Sequence, residues 1–239
     1  MLARRTFITT TFKAAGAAAL LTVPGMAMAT RKPYTVREII DMILKDIPGA
    51  PFKETVDTLK SGSETQVVTG IVTTMFATVA VIEEAAKRKA NFIIAHEPTF
   101  YNHLDDTNWV AQNEVVKQKQ ELLKKHNITV WRFHDYWHTH RPDGIGYGVL
   151  KDAGWLQYYK PGEMILKIPP ASLQDVIAKL KQSLGIGQLR VIGDLSQTCE
   201  RIALLPGAAG GQRQVAIVEK EKPDVLIVGE VHEWETAEY

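Results

Sequence analysis

The stretches Asn91-Phe92-Ile93-Ile94-Ala95-His96-Glu97-Pro98 and Ile128-Thr129-Val130-Trp131-Arg132-Phe133-His134-Asp135-Tyr136-Trp137-His138 are built alike. Each is a short apolar run, rich in β-branched and aromatic residues, that ends in imidazole and carboxylate side chains. The run Phe92 to Ala95, like Ile71 to Phe76 and Val225 to Val228, does not alternate strictly between apolar and polar residues, as expected of strands buried on both faces. Between them, Trp109 to Lys125 reads as a helix. Strand, helix and strand in that order form a crossover between parallel neighbours.

Working outward, the same alternation continues. Thr35-Val36-Arg37-Glu38 is a capping-box sequence, and Val36, Ile39, Ile40 and Ile43 follow at helical spacing. Pro48-Gly49 ends that helix, and Ser61-Gly62-Ser63 marks a turn. Gln66 to Thr73 reads as a strand, Val79 to Arg88 as a helix, and a further helix begins near Ile145. Met164 to Ile168, Leu189 to Ile192, Arg201 to Leu205 and Asp224 to Val228 read as strands. A helix capped at Ser172 follows the first of these, and the turn Pro206-Gly207-Ala208-Ala209-Gly210-Gly211 opens another. The fold class is therefore α/β, with mostly parallel or mixed sheets covered by helices. Lys160-Pro161-Gly162 breaks the pattern and divides residues 30–239 into two lobes of similar size, 30–160 and 161–239.

Residues 1–29 have the order of an export signal. Arg4, Arg5 and Lys13 come with no acid, a short apolar stretch follows, and Ala27-Met28-Ala29 supplies small residues at a cleavage-like site. Arg4-Arg5-Thr6-Phe7-Ile8 is a twin-arginine-like run, so the expected location is outside the cytoplasm, in a periplasm. The apolar stretch is too short for a stable membrane span. Without this segment the formal charge moves from +1 to about −2, which leaves no electrostatic footprint for nucleic acid. Cys199 is the single cysteine, so no intrachain disulfide forms and any metal must be held by nitrogen and oxygen.

Six of the seven histidines lie between positions 96 and 140, a density that suggests a metal site. His134 and His138 are spaced so that one helical turn, or a loop folding back, aims both rings at one ion. Asp135 is placed to orient a ring. His126, at a helix end, fits a structural role; His103 lies in a polar loop, and His140 precedes a turn. The glycine turn at 207–211 could present amides to an anion, although it lacks the lysine of a P-loop.

The ordered set of motifs resembles the Nif-three-like dinuclear metal-centre family, also described as GTP cyclohydrolase I type 2. The resemblance rests on Val68-Thr69-Gly70-Ile71, on Ile93 to Phe100, on His134 to His138 followed by Gly144, on Ile202 to Gly211 and on Asp224 to Glu230. It implies an α/β fold, a toroidal homo-oligomer (a hexamer), and one or two divalent ions such as zinc, iron, manganese or nickel. The family's His-His-Pro and His-x-x-x-Asp motifs appear here as His96-Glu97-Pro98 and His134-x-x-x-His138. The resemblance thus implies His96, Glu97 and His138 as metal ligands, still two imidazoles and one carboxylate. It further implies a hydrolase-like, cyclohydrolase-type activity on C–N bonds of a small-molecule substrate, with His134 carrying the proton. A later His-x-x-x-Glu-like pair of the family falls beyond Tyr239, so a fragment with an uncovered last strand is expected; Glu230 and His232 match only the strand-exit motif. Two rivals stand beside this reading. One is a non-catalytic metal-binding, assembly or regulatory protein, and the other is a metal-free module that binds its ligand with the aromatic loop around Trp131 to Trp137.

Export is directly testable. A tagged full-length chain should lose residues 1–29 on secretion, and Arg4→Lys with Arg5→Lys should strand it in the cytoplasm; an intact N-terminus on the secreted protein would refute the signal.

Overall fold

In the computed structural model, residues 32–237 are described, and the signal-like segment over residues 1–29 lies outside them. Helix α1 (Val36–Leu44) starts where the capping box places it. The Thr35 hydroxyl accepts from the Glu38 amide at 3.3 Å, and the Thr35 amide donates back to the Glu38 carboxylate at 2.7 Å. Its buried face, Val36, Ile39 and Ile40, packs on Phe92, Trp131 and Tyr136.

The first sheet has strand order β1-β4-β3-β2, with β1 (Leu59–Ser61), β2 (Ile71–Thr74), β3 (Phe92–Ala95) and β4 (Thr129–Arg132). Strands β2, β3 and β4 are parallel, and β1 runs antiparallel against β4. Helices α2 (Val79–Lys87) and α3 (Glu114–Lys125) make the crossovers. They cover one face through Ile82, Ala85, Val116 and Leu123, while α1 covers the other. Phe92, Ile93, Ala95 and Val130 are completely buried. At roughly 1.5–3 kcal/mol for each fully buried large apolar side chain, β3 and β4 form the buried centre of this sheet.

The second sheet has order β5-β6-β7, with β5 (Ile165–Ser172) antiparallel and β7 (Val225–Val228) parallel to β6 (Thr198–Leu205). Helices α4 (Gly144–Asp152) and α5 (Leu173–Leu184) pack on one face, and α6 (Gly211–Glu221) on the other. Cys199, on β6, is fully buried and unpaired. Residues Tyr34–Tyr239 cluster as one unit.

Several expectations change. The strand read at Gln66 to Thr73 is an isolated bridge of Val67 to Thr35 followed by β2, with the chain passing close to Ala90 at Gly70. The helix read from Trp109 is interrupted: a 3-10 turn covers Asn108–Val110, and α3 starts afresh after Asn113, whose side chain caps Val115 and Val116. Leu189 to Ile192 is not a strand, because no neighbour pairs with it, and Ile192 stays exposed. Instead β1 appears, supported by pairing with Trp131 and Val130. The last strand is not bare either. Leu226 and Val228 join the cluster beneath α6, and Val225 and Ile227 join the one beneath α5.

The turn after β1 depends on Gly62. Its φ is +81°, and a Cβ there would stand 2.7 Å from the Thr129 Cα, a backbone atom that cannot swing away. Gly62→Ala should therefore cost about 2–4 kcal/mol in denaturant unfolding, from the left-handed backbone and overpacking together. An unchanged midpoint would show that the turn relaxes freely.

Candidate metal centre

Parallel pairing sets the geometry. Ala95 on β3 lies beside Arg132 on β4, so the two strands end together and release His96 and His134 side by side at their carboxyl ends. The Phe133 amide still bonds to the Ala95 carbonyl at 2.9 Å, which carries the pairing one residue further. After His134 the chain turns once, through a 3-10 turn at Trp137–Thr139, and the His138 amide reaches the His134 carbonyl at 3.1 Å. The turn brings His138 back over His134.

The three rings form a triangle. Centroids are 4.8 Å apart for His96–His134, 5.2 Å for His96–His138 and 4.7 Å for His134–His138. One ring nitrogen from each lies within 4.8 Å of the other two, and all three residues are half-buried. Each Nδ1 has an oxygen partner: the Phe133 carbonyl at 3.1 Å for His96, the Asp135 carboxylate at 2.9 Å for His134, and the Asp143 carboxylate at 2.5 Å for His138. A carbonyl or carboxylate only accepts, so Nδ1 is the protonated nitrogen of each ring, and in the neutral form of the ring the lone pair lies on Nε2. Metal-ligating histidines are prepared in this way by their outer partners. The donor set therefore fits a divalent transition metal.

The supports are themselves anchored. Burial would raise the Asp135 carboxyl, but the His134 ring, the Val56 amide and the Thr55 hydroxyl hold it below the usual range. Burial acts the same way on Asp143, where His138 and the first amides of α4, Ile145 and Gly146, hold the carboxyl low. Asp57, buried, accepts from three successive amides, those of His134 at 2.7 Å, Asp135 at 3.0 Å and Tyr136 at 2.8 Å. Burial pushes its carboxyl up while these amides oppose the shift. Gly144 lies so close to the Trp137 indole that a Cβ would stand 2.4 Å from it.

Beneath the histidines lies Arg132, with its side chain wholly buried. Nε donates to the His96 carbonyl at 3.3 Å, and Nη1 donates to the His103 carbonyl and, at 3.4 Å, to Asp105. Nη2 meets His103 Nδ1 at 3.3 Å. Lys60, on β1, pairs with the same buried Asp105 at 3.2 Å.

Of the residues singled out in the sequence, His96 and His138 stand in the triangle, and so does His134, read above as a proton carrier. Glu97 lines the same cavity, but its carboxylate lies 3.9 Å from Arg132 and is not among the three clustered donors. His103 sets its ring edge-on to His134 at 5.3 Å. His140 meets the Trp137 indole edge-on at 5.2 Å, His126 caps α3, and His232 pairs with Glu235. The aromatic loop is core: Trp131 and Tyr136 are buried among Phe52 and Phe133. At the glycine turn, the Glu235 carboxylate lies against Gly211, so a side chain of the protein already stands at that helix end. The sequence reading missed Asp57, Asp143 and Arg132. Asp143 had a visible signal as the N-cap before α4, and Arg132 as the one charge in an apolar strand.

A cavity of about 710 Å³ opens over the triangle. Its far wall comes from the second sheet and the start of α6, through Leu204 to Ala209 and Arg213.

Comparison with known proteins agrees with this architecture. Residues 34–239 match the Duf34/NIF3 (NGG1p interacting factor 3) family, and the chain belongs to it. A Clostridium perfringens protein named GTP cyclohydrolase 1 type 2 homolog is 24% identical over 200 residues, which span 79% of this chain and 74% of the relative. The Bacillus cereus protein related to NIF3 superposes with a TM-score of 0.68 at 15% identity, covering 87% of this chain and 85% of that one. Staphylococcus aureus protein SA1388 superposes at 0.65 with 19% identity, covering 87% and 83%. At these identities the solved structures share the fold.

Burial, with the neighbouring His134 and His138 adding to it, holds the His96 imidazole below its ordinary value of 6.5 against the Phe133 carbonyl. The folded chain then binds this proton less readily than the unfolded chain. Stability attributable to His96 is thus present above pH 6.5 and declines as pH falls from there to the depressed value. An NMR titration of the metal-free protein should place the His96 midpoint below 6.5; a midpoint at or above it would mean that the ring is better hydrated than its burial indicates.

Proposed function

We propose that this Duf34/NIF3 family member holds a divalent transition metal on the Nε2 atoms of His96, His134 and His138 and acts as a metal-dependent, hydrolase-like protein on a small molecule. The supporting observation is the set of three Nδ1 contacts to Phe133, Asp135 and Asp143, which leaves Nε2 as the donor each neutral ring can offer, in a cluster whose ring nitrogens lie within 4.8 Å of one another. Glu97, on the same cavity wall, supplies the carboxylate that balances the cation's charge. Nitrogen and oxygen donors suit zinc, iron, manganese or nickel. The stiff ends of β3 and β4 hold two of the three rings, which limits the rearrangement that metal uptake requires.

A bound ion of this kind supplies Lewis acidity and an activated water. The remaining work falls to the chain. Asp135 and Asp143 keep two of the rings in the ligating tautomer, Arg132 fixes the floor, and the cavity between the lobes admits a molecule of metabolite size. The name of the Clostridium perfringens relative is the reason to test C–N bond hydrolysis of cyclohydrolase type first. A non-catalytic, metal-holding role uses the same histidines without turnover. A homo-oligomer, and export through the N-terminal segment, complete the proposal.

Elemental analysis of purified full-length protein decides the metal. Wild type should carry divalent metal; His96→Ala, His134→Ala and His138→Ala should each lose most of it, and Asp135→Asn or Asp143→Asn should weaken binding roughly 10- to 100-fold. Equal metal content in wild type and the three alanine variants would make the triangle structural. Turnover by the loaded protein, absent in His138→Ala, separates the hydrolase from the metal-holding role.

A further inference from the structure

The cavity over the histidines has a second chemical character. Two carboxylates line it, and both are engaged: Asp143 holds His138 and caps α4, and Glu97 faces Arg132. Two guanidinium groups also line it, and neither has a carboxylate partner among the described residues. Arg141, in the loop after the last ring, donates from Nη1 to the His138 and His140 carbonyls, each at 2.8 Å. Those bonds pin Arg141 to the backbone that carries the metal-site ring, while Nε and Nη2 stay available. Arg213, in the first turn of α6, reaches the cavity from the opposite lobe and makes no ion pair among the described residues. The helix end itself is taken by Glu235, so the open cationic groups are the side chains. The same wall also carries the apolar side chains of Met75, Ile145, Met164 and Leu205.

We propose that Arg141 and Arg213 form the anion-binding wall of this cavity, so that its substrate is a small organic molecule carrying a phosphate or carboxylate group, held with its reactive bond toward the histidines. This rests on the metal-centre reading for the reaction but not for the binding. Guanidinium recognises either oxyanion through paired N–H donors, and the apolar side chains of the lining suit the organic body that carries the charged group. With one arginine from each lobe, the anion would also bridge the lobes and fix the reacting group relative to both.

Calorimetric titration of the full-length protein with inorganic phosphate and with acetate tests this, both as purified and after metal removal by chelation. Phosphate or acetate should bind in both states, and the tighter of the two identifies the group. Arg213→Met should weaken binding roughly 10- to 100-fold, as expected for loss of a charge-assisted contact, with metal content unchanged. Arg213→Lys should restore part of it, and Lys87→Met, on the exposed face of α2, should change nothing. Arg141→Met should weaken binding as well, and its metal content reports whether the ring loop has moved. If neither anion binds the wild type at millimolar concentration, or if Arg213→Met binds as wild type does, the anion wall is refuted while the metal reading stands. Anion binding that is sensitive to Arg213 in protein that takes up no metal would refute the metal reading and leave the wall intact.

Discussion

The carboxylate of Asp57 holds the loop on which the site depends. Three amides in a row, from His134 to Tyr136, point at one side chain lying 77 to 79 residues earlier in the chain. These residues have left β4, so without Asp57 their N–H groups would lose their acceptor, at roughly 1–3 kcal/mol for the buried Tyr136 amide and less for the half-buried amides of His134 and Asp135. The preceding residues, Thr55 and Val56, grip Asp135 in turn, and Asp135 grips His134. A single short segment before β1 therefore sets both the path of the loop and the tautomer of one ring. The aromatic packing of Phe52, Phe133 and Tyr136 shields these bonds from water.

Arg132 plays the matching part from below. A guanidinium cannot shed its proton in a protein, so its burial must be compensated by acceptors. It finds the His96 and His103 carbonyls and the Asp105 carboxylate, and Asp105 in turn holds the Phe100 amide and Lys60. This network ties the exit of β3, the long loop before α3, and β1 to the end of β4. Its worth lies less in net stability than in allowing one arrangement of the backbone under the rings.

Much of this was legible in the sequence. The strand-exit histidines, the capping box at Thr35 and the cap at Ser172 are local patterns, and local physics governs them. What was not legible is long-range. Strand β1 has only Leu59-Lys60-Ser61 and exists because Trp131 and Val130 offer a pairing edge, whereas Leu189 to Ile192 has better strand residues and no edge to meet. Asp57 looks like any loop aspartate until its partners fold beside it. At the site, three imidazoles converge while Glu97, next to His96 on an extended exit, turns toward Arg132. Side chains of adjacent residues on extended backbone point to opposite sides, and no sequence motif says which of the two will face the cavity.

Cys199 adds one more consequence. Fully buried on β6, its thiol is pushed up in pKa by burial, and Asp224 adds to the shift. Since the thiolate is the form that oxidants and disulfides attack, this sulfur is chemically silent while the sheet is closed. With a single cysteine and that one buried, the folded state contains no intrachain disulfide whose redox state could change its stability. A change of redox poise around the folded chain therefore leaves its cross-links as they were, because it has none within itself.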